Sequence, residues 1–175
     1  MTGVQTCALP ICPYKDNCRY VHHATVARPA TTTALAKDAP ATWLHLEAEC
    51  GVGASCYIED TGHFNAVEFN IVYNQMLYLG IAEAVQHRLW PELQHKTLDD
   101  FLRHQLPDVL IVEYHARFRR PMQSRRFQGW ITFCGLEAKM TRDLVLLHTK
   151  AGCKSPEGGL AESDVTVALV NWLRP

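Results

Sequence analysis

A chain of 175 residues with 47% hydrophobic and 20% charged residues has enough apolar material for one domain with a sizeable core. Lys and Arg total 17 against 18 Asp and Glu, a formal net charge of −1. That balance excludes a chain-wide electrostatic footprint for nucleic acid and describes an ordinary globule.

The opening MTGVQTCALPI reads as the conceptual translation of a sequencing-library adapter, with a GTG start read as Met and Cys12 at the junction. Residues 1–12 are therefore set aside, and 13–175 are read as a single domain. A cleaved signal peptide fits poorly, because there is no basic start and only a short apolar run. Beyond the junction lie Cys18, Cys50, Cys56, Cys134 and Cys153, odd in number and without a CxxC pair. They fit reduced thiols in a cytoplasmic protein better than a disulfide framework or a zinc site, with a catalytic cysteine as the minor reading. His22 and His23 read as strand edge or surface, since no third ligand has the right spacing, and no metal or other cofactor is expected.

RYVHHATVA (19–27) reads as a strand, and the Pro/Thr/Ala-rich 28–40 as a loop. TWLHLEAEC (42–50) alternates, Leu44, Leu46, Ala48 and Cys50 against His45, Glu47 and Glu49, as a half-buried strand does. GVGAS (51–55) is a turn, and Cys56, Tyr57 and Ile58 are expected to form a short strand. The longest helix is predicted to start at Asn65, an N-cap residue, with Glu68 placed to close a capping box and Phe64 and Phe69 placed as a hydrophobic staple. Val67, Ile71, Tyr78, Ala82 and Val85 recur at helical spacing with Asn74 among them, while Phe69, Val72, Met76 and Leu79 cover a second face. A helix apolar on most sides is usually buried. Glu68, Asn70, Asn74, Gln75 and Glu83 interrupt it too often for a membrane span.

A short helix over LDDFLRHQL (98–106) follows, capped by Thr97 and stopped by Pro107. Strands are then predicted over 108–118, 126–134, 136–149 and 163–173, with 150–159 as a loop. Strands, one long buried helix, a short helix and several antiparallel strands make an α+β domain. The hotdog fold, a curved antiparallel sheet wrapped around one central helix, has this order.

The residues also carry a family likeness. YIEDTGHFNAVEFNIVYNQM (57–76) resembles the signature of the FcoT-like thioesterases, and PY (13–14), CRY (18–20), HQL (104–106) and ARFRRP (116–121) occur in the same order. The resemblance runs from about Pro13 to the C-terminus, and TGHFNAVE is its most specific block. It implies a hotdog enzyme acting on fatty acyl thioesters. Family members either hydrolyse long-chain acyl-CoA, or add glycine to the β-carbon of an α,β-unsaturated acyl thioester on a carrier protein and then release the N-carboxymethyl-3-amino fatty acid. The family's functional tyrosines fall on Tyr14 and Tyr57, and its two helix asparagines on Asn65 and Asn74. The chain departs from the pattern after Tyr14, where the loop to CRY is one residue shorter.

Both reactions push negative charge onto the thioester oxygen, so donors organised there accelerate both. The TGHFN turn brings a helix N-terminus, with its free N–H groups, next to Tyr57. Gly62 permits close approach of backbone to a ligand. Tyr57 and Asn74 are candidate donors, Asn65 a donor or only a cap, His63 the general base of suitable intrinsic pKa or only a polar turn residue, and Glu68 a second base or only part of the cap. Equally, Asn74 is readable as a satisfied core amide and Tyr57 as a strand aromatic. Arg117, Arg119, Arg120, Arg125 and Arg126 form a local basic patch. They read either as a solvated strand end or as contacts for CoA phosphates, an acidic acyl carrier protein or the glycine carboxylate. No aromatic-interleaved motif accompanies them to favour nucleic acid. Hotdog protomers usually pair across their sheets, so a homodimer or higher homo-oligomer is expected.

Overall fold

The computed structural model describes residues 9–27, 44–59 and 62–174. Its strands are β1 (Val21–Ala27), β2 (Leu44–Cys50), β3 (Val109–Arg120), β4 (Phe127–Lys139), β5 (Leu144–Lys154) and β6 (Leu160–Val170), and its helices α1 (Ala66–Gln86) and α2 (Leu98–His104). The strands form one antiparallel sheet in the order β1-β2-β4-β5-β6-β3. The chain leaves β2 near one edge and re-enters as β3 at the other, and α1 makes that crossing. Register breaks in β1, β3 and β4 bend the strands, as bulges do, and curve the sheet around the helix. This is the hotdog arrangement that the element order implied.

Apolar alternation sets the inner face of β2: Leu44, Leu46, Ala48 and Cys50 are buried, while Glu47 and Glu49 are exposed. Met76, Leu77 and Ile81 of α1 meet this face with no exposed surface. Close packing is enforced at Gly80, where a Cβ would stand 2.4 Å from the Phe133 ring. None of the described helices is long and apolar enough to cross a membrane.

Several boundaries differ from the sequence expectation. Cys56, Tyr57 and Ile58 form bends rather than a strand, and all three are exposed. The stretch 136–149 is not one strand. It is the end of β4, a 3-10 turn at Met140–Arg142 and the start of β5, with Asp143 left-handed at φ 49°. KAGCK (150–154) is not loop but the end of β5, and the last strand begins at Leu160 and ends at Val170. Ile11, within the residues 1–12 set aside above, packs at the edge of the core with 6% exposure.

A buried glutamine ties the N-terminal segment to α1. The Gln75 carboxamide oxygen accepts from the backbone N–H groups of Tyr20 (2.9 Å) and Val21 (3.0 Å), and its Nε2 donates to the Cys18 carbonyl (2.6 Å). Gln75 has no exposed surface. Sequence reasoning treated it only as an interruption of an apolar helix.

Candidate active site

The start of α1 is built as expected, with one change. Asn65 is the N-cap in extended backbone, and its Oδ1 accepts from the N–H groups of Val67 (2.9 Å) and Glu68 (3.3 Å). Phe64 and Phe69 meet as the staple, with centroids 5.9 Å apart. Glu68 is buried at 1% exposure. The Asn65 side chain thus makes two cap bonds at this terminus.

The other end of the Asn65 amide reaches the functional candidate. Its Nδ2 donates to the Tyr57 hydroxyl oxygen at 2.9 Å. One side chain thus closes the helix and fixes the phenol, whose own O–H proton remains available to a third group. Accepting a hydrogen bond polarises that O–H and makes it a better donor. Tyr57 is 49% exposed, and His63, two residues ahead of the cap, is exposed as well. Gly62 has φ +71°, the left-handed region that side chains disfavour, and allows the chain to turn into the helix.

Asn74 and Tyr14 lie elsewhere. Asn74 is nine residues into the helix, about 13 Å along the axis from Asn65. Its Nδ2 donates to the Asn70 carbonyl at 3.0 Å. With Val67, Asn70 and Ile71 it occupies a half-open face of α1, so it is not a core amide. Tyr14 packs against Tyr78, with centroids 6.4 Å apart, about 20 Å along the helix from Asn65. Burial, aided by Tyr78, raises its hydroxyl pKa. The structure therefore joins Tyr57 to Asn65 at the helix start, with His63 two residues ahead of the cap, and sets Asn74 further along the helix and Tyr14 against Tyr78.

The arginines divide in the same way. Arg117 pairs with Asp164 at 3.6 Å and Arg119 with Glu162 at 3.2 Å, across the β3–β6 ladder. Arg120 lies near Gly158. Cys50 and Cys153 do not resemble nucleophiles: burial pushes the Cys50 thiol up to about 12 and raises Cys153 well above its usual value. An activated thiol is shifted the other way. Among the described residues, no cluster of three or more His, Cys, Asp or Glu could hold a metal ion.

Sequence reasoning missed a buried hydroxyl chain between α1 and the sheet. The Tyr73 hydroxyl shares a hydrogen bond with Thr149 (2.8 Å), whose hydroxyl donates to the Val165 carbonyl (3.3 Å). Its only trace in the sequence is a tyrosine on the apolar side of α1.

Comparison with known proteins identifies the family. The FcoT-like thioesterase domain matches residues 11–169. The chain belongs to this family. Among FcoT-like relatives, a (2E)-enoyl-ACP glycyltransferase of Streptomyces coeruleorubidus is 36% identical over 162 residues, covering 91% of this chain and 92% of the relative. Proteins of the same name from Mycobacterium marinum and Mycobacterium tuberculosis are each 32% identical, covering 69% of this chain and 66% of their own length. Solved structures overlap more loosely. A Haemophilus influenzae thioesterase has 14% identity and a TM-score of 0.42 over 86% of this chain and 80% of its own. A Staphylococcus aureus protein in complex with CoA has 14% identity and a TM-score of 0.44 over 80% and 75%.

Proposed function

We propose that this FcoT-like enzyme adds glycine to the β-carbon of a 2-enoyl thioester on an acyl carrier protein and then hydrolyses the thioester. The observation that carries the reading is the Asn65–Tyr57 hydrogen bond at the capped start of α1, in a chain whose relatives bear the glycyltransferase name. In the first step the glycine nitrogen bonds to the β-carbon. The C=C pair moves through the α-carbon onto the thioester oxygen, where the Tyr57 O–H donates to the enolate. His63 takes the proton that glycine loses and returns it to the α-carbon, which completes the addition of N–H across the double bond. In the second step water attacks the same carbonyl, the same donor meets the tetrahedral oxyanion, and the thiol of the carrier leaves. His63 is the base we favour because it is exposed two residues ahead of the Asn65 cap, whereas the Glu68 carboxyl is buried. Asn74 and Tyr14 line the route of the acyl chain along α1 in this reading.

Incubating the protein with a medium-chain 2-enoyl thioester, with and without glycine, tests this. An N-carboxymethyl-3-amino acid seen by mass spectrometry only with glycine is expected. Equal yields of free enoic acid in both tubes would make the protein a plain acyl thioesterase. Ligand retained without any product would make it an acyl-binding protein.

The site is open in a single copy, and hydrophobic side chains stand exposed on the same helix and along the sheet edge: Val67 on α1 and Leu110, Val112 and Phe118 on edge strand β3. We propose that a second copy covers this surface. Light scattering is expected to give a dimer or a higher oligomer, and a monomer at micromolar concentration would refute it.

A further inference from the structure

The arginines that do not pair in the β3–β6 ladder point to a second site. Arg125 and Arg126 lie just ahead of β4 and line an open cleft of about 690 Å³ together with Lys154, His22, Glu49 and Ser155. Three fixed cations and one titratable imidazole there face a single carboxylate. Among the described residues, Arg125, Arg126 and Lys154 make no ion pair, in contrast to Arg117 and Arg119. Three cations gathered around one carboxylate leave a net positive charge, which an anion in the cleft offsets.

The lining is anchored, not splayed. The Ser124 carbonyl accepts from Val52 N–H at 2.8 Å, and the Met122 carbonyl from Phe64 N–H at 2.9 Å. At Gly51 a Cβ would stand 2.4 Å from the Arg125 carbonyl oxygen, so only glycine lets the arginine-bearing segment pack this close to β2. On the other wall, Ser155 is buried and its Oγ accepts from Gly159 N–H at 3.2 Å. The same segment touches the candidate active site from its other side: Phe127 packs on Phe64 with centroids 4.7 Å apart, and Phe64 immediately precedes the Asn65 cap. The cationic cleft and the Tyr57–Asn65 pair thus share one end of the sheet, separated by one pinned stretch of chain.

We propose that this cleft binds a phosphate group of the phosphopantetheine arm that carries the acyl thioester. The inference rests on the acyl-thioester reading above. Arg presents a planar fork of donors that matches phosphate oxygens, and Lys adds a point charge. The chemistry is common to a carrier protein and to CoA, since both bear this arm. CoA adds further phosphates on its nucleotide.

The test compares 2-enoyl pantetheine, which has no phosphate, with 2-enoyl-4′-phosphopantetheine and 2-enoyl-CoA. Each is assayed with the unaltered protein, the Arg125→Gln/Arg126→Gln/Lys154→Gln variant and the Arg117→Gln/Arg119→Gln variant. The first variant is expected to raise KM for both phosphorylated thioesters by about tenfold or more, the loss of one charge-assisted hydrogen bond or more. It should leave kcat within about twofold and leave KM for the pantetheine thioester unchanged, and the second variant should change neither. A larger KM effect on CoA than on phosphopantetheine places the nucleotide phosphates in the cleft, and an equal effect places the phosphate of the arm there. Equal losses on all three thioesters, or none on any, would overturn the proposal. Calorimetry with 4′-phosphopantetheine decides it apart from turnover. Binding to the unaltered protein that weakens with salt and is lost in the triple variant supports the site even if no thioester is consumed. No binding to the unaltered protein refutes it.

Discussion

Tyr57→Phe is expected to lower kcat by about 10²–10³-fold, the size of effect seen when one donor to a developing oxyanion is removed. The ring is half exposed and the missing group is one hydroxyl, so stability should stay within about 0.5 kcal/mol. Asn65 separates the two duties of the cap. Asn65→Asp keeps an oxygen for the Val67 and Glu68 N–H groups, and Asp caps as well as Asn, so the helix should hold. The variant loses the Nδ2 donor to Tyr57, and the carboxylate instead draws the Tyr57 O–H toward itself, away from the thioester oxygen. The same loss in kcat is therefore expected from Asn65→Asp, with the melting temperature unchanged. Asn65→Ala should add a stability loss of about 1 kcal/mol from the missing cap. If both Tyr57→Phe and Asn65→Asp turned over within twofold of the unaltered protein, the phenol would be no part of the chemistry.

The start of α1 was legible in the sequence because its signals are local. An N-cap at Asn65 and aromatics at the staple positions are fixed by residues within one turn, and the structure contains both contacts. Thr97 is likewise a cap, with a full capping box to Asp100. The β4–β5 border was not legible. Its turn, Met140–Asp143, contains neither Gly nor Pro, and the left-handed position is held by Asp143. Gly152 misled in the opposite sense. It read as loop, but it sits inside β5 because a Cβ there would meet the Trp130 ring at 2.5 Å. Arg117 and Arg125 look alike in the sequence, and only strand register gives one of them an acidic neighbour. Spacing along a helix does show that Asn65 and Asn74 are far apart. It does not show that the Asn65 amide reaches back to Tyr57, which depends on the bend at 56–59.

Gln75→Leu is expected to cost about 3–5 kcal/mol, a large part of the 5–15 kcal/mol that holds a typical domain together. Leucine fits the surrounding core by size, but three hydrogen bonds go at once. The backbone N–H groups of Tyr20 and Val21 and the Cys18 carbonyl are then buried without their partner, at about 1–3 kcal/mol for each group so stranded. The segment can escape part of that cost by swinging out to water, but only by exposing Tyr20 and Val21, now 1% and 5% exposed, and loosening the start of edge strand β1. The two outcomes differ in hydrogen exchange. A strained but closed state keeps the amides of β1 protected and lowers the denaturant midpoint. An opened segment exposes them while Leu44 to Cys50 stay protected by β4. The neighbouring residue is the control. Asn74 bonds only within its own helix, at a half-open face, so Asn74→Ala should stay within about 0.5 kcal/mol of the unaltered protein. Equal stability losses at positions 74 and 75 would mean that the Gln75 clamp does not hold the N-terminal segment in solution. A loss confined to position 75 would leave the polar residue on the open face available for the acyl chain, and the buried one committed to the fold.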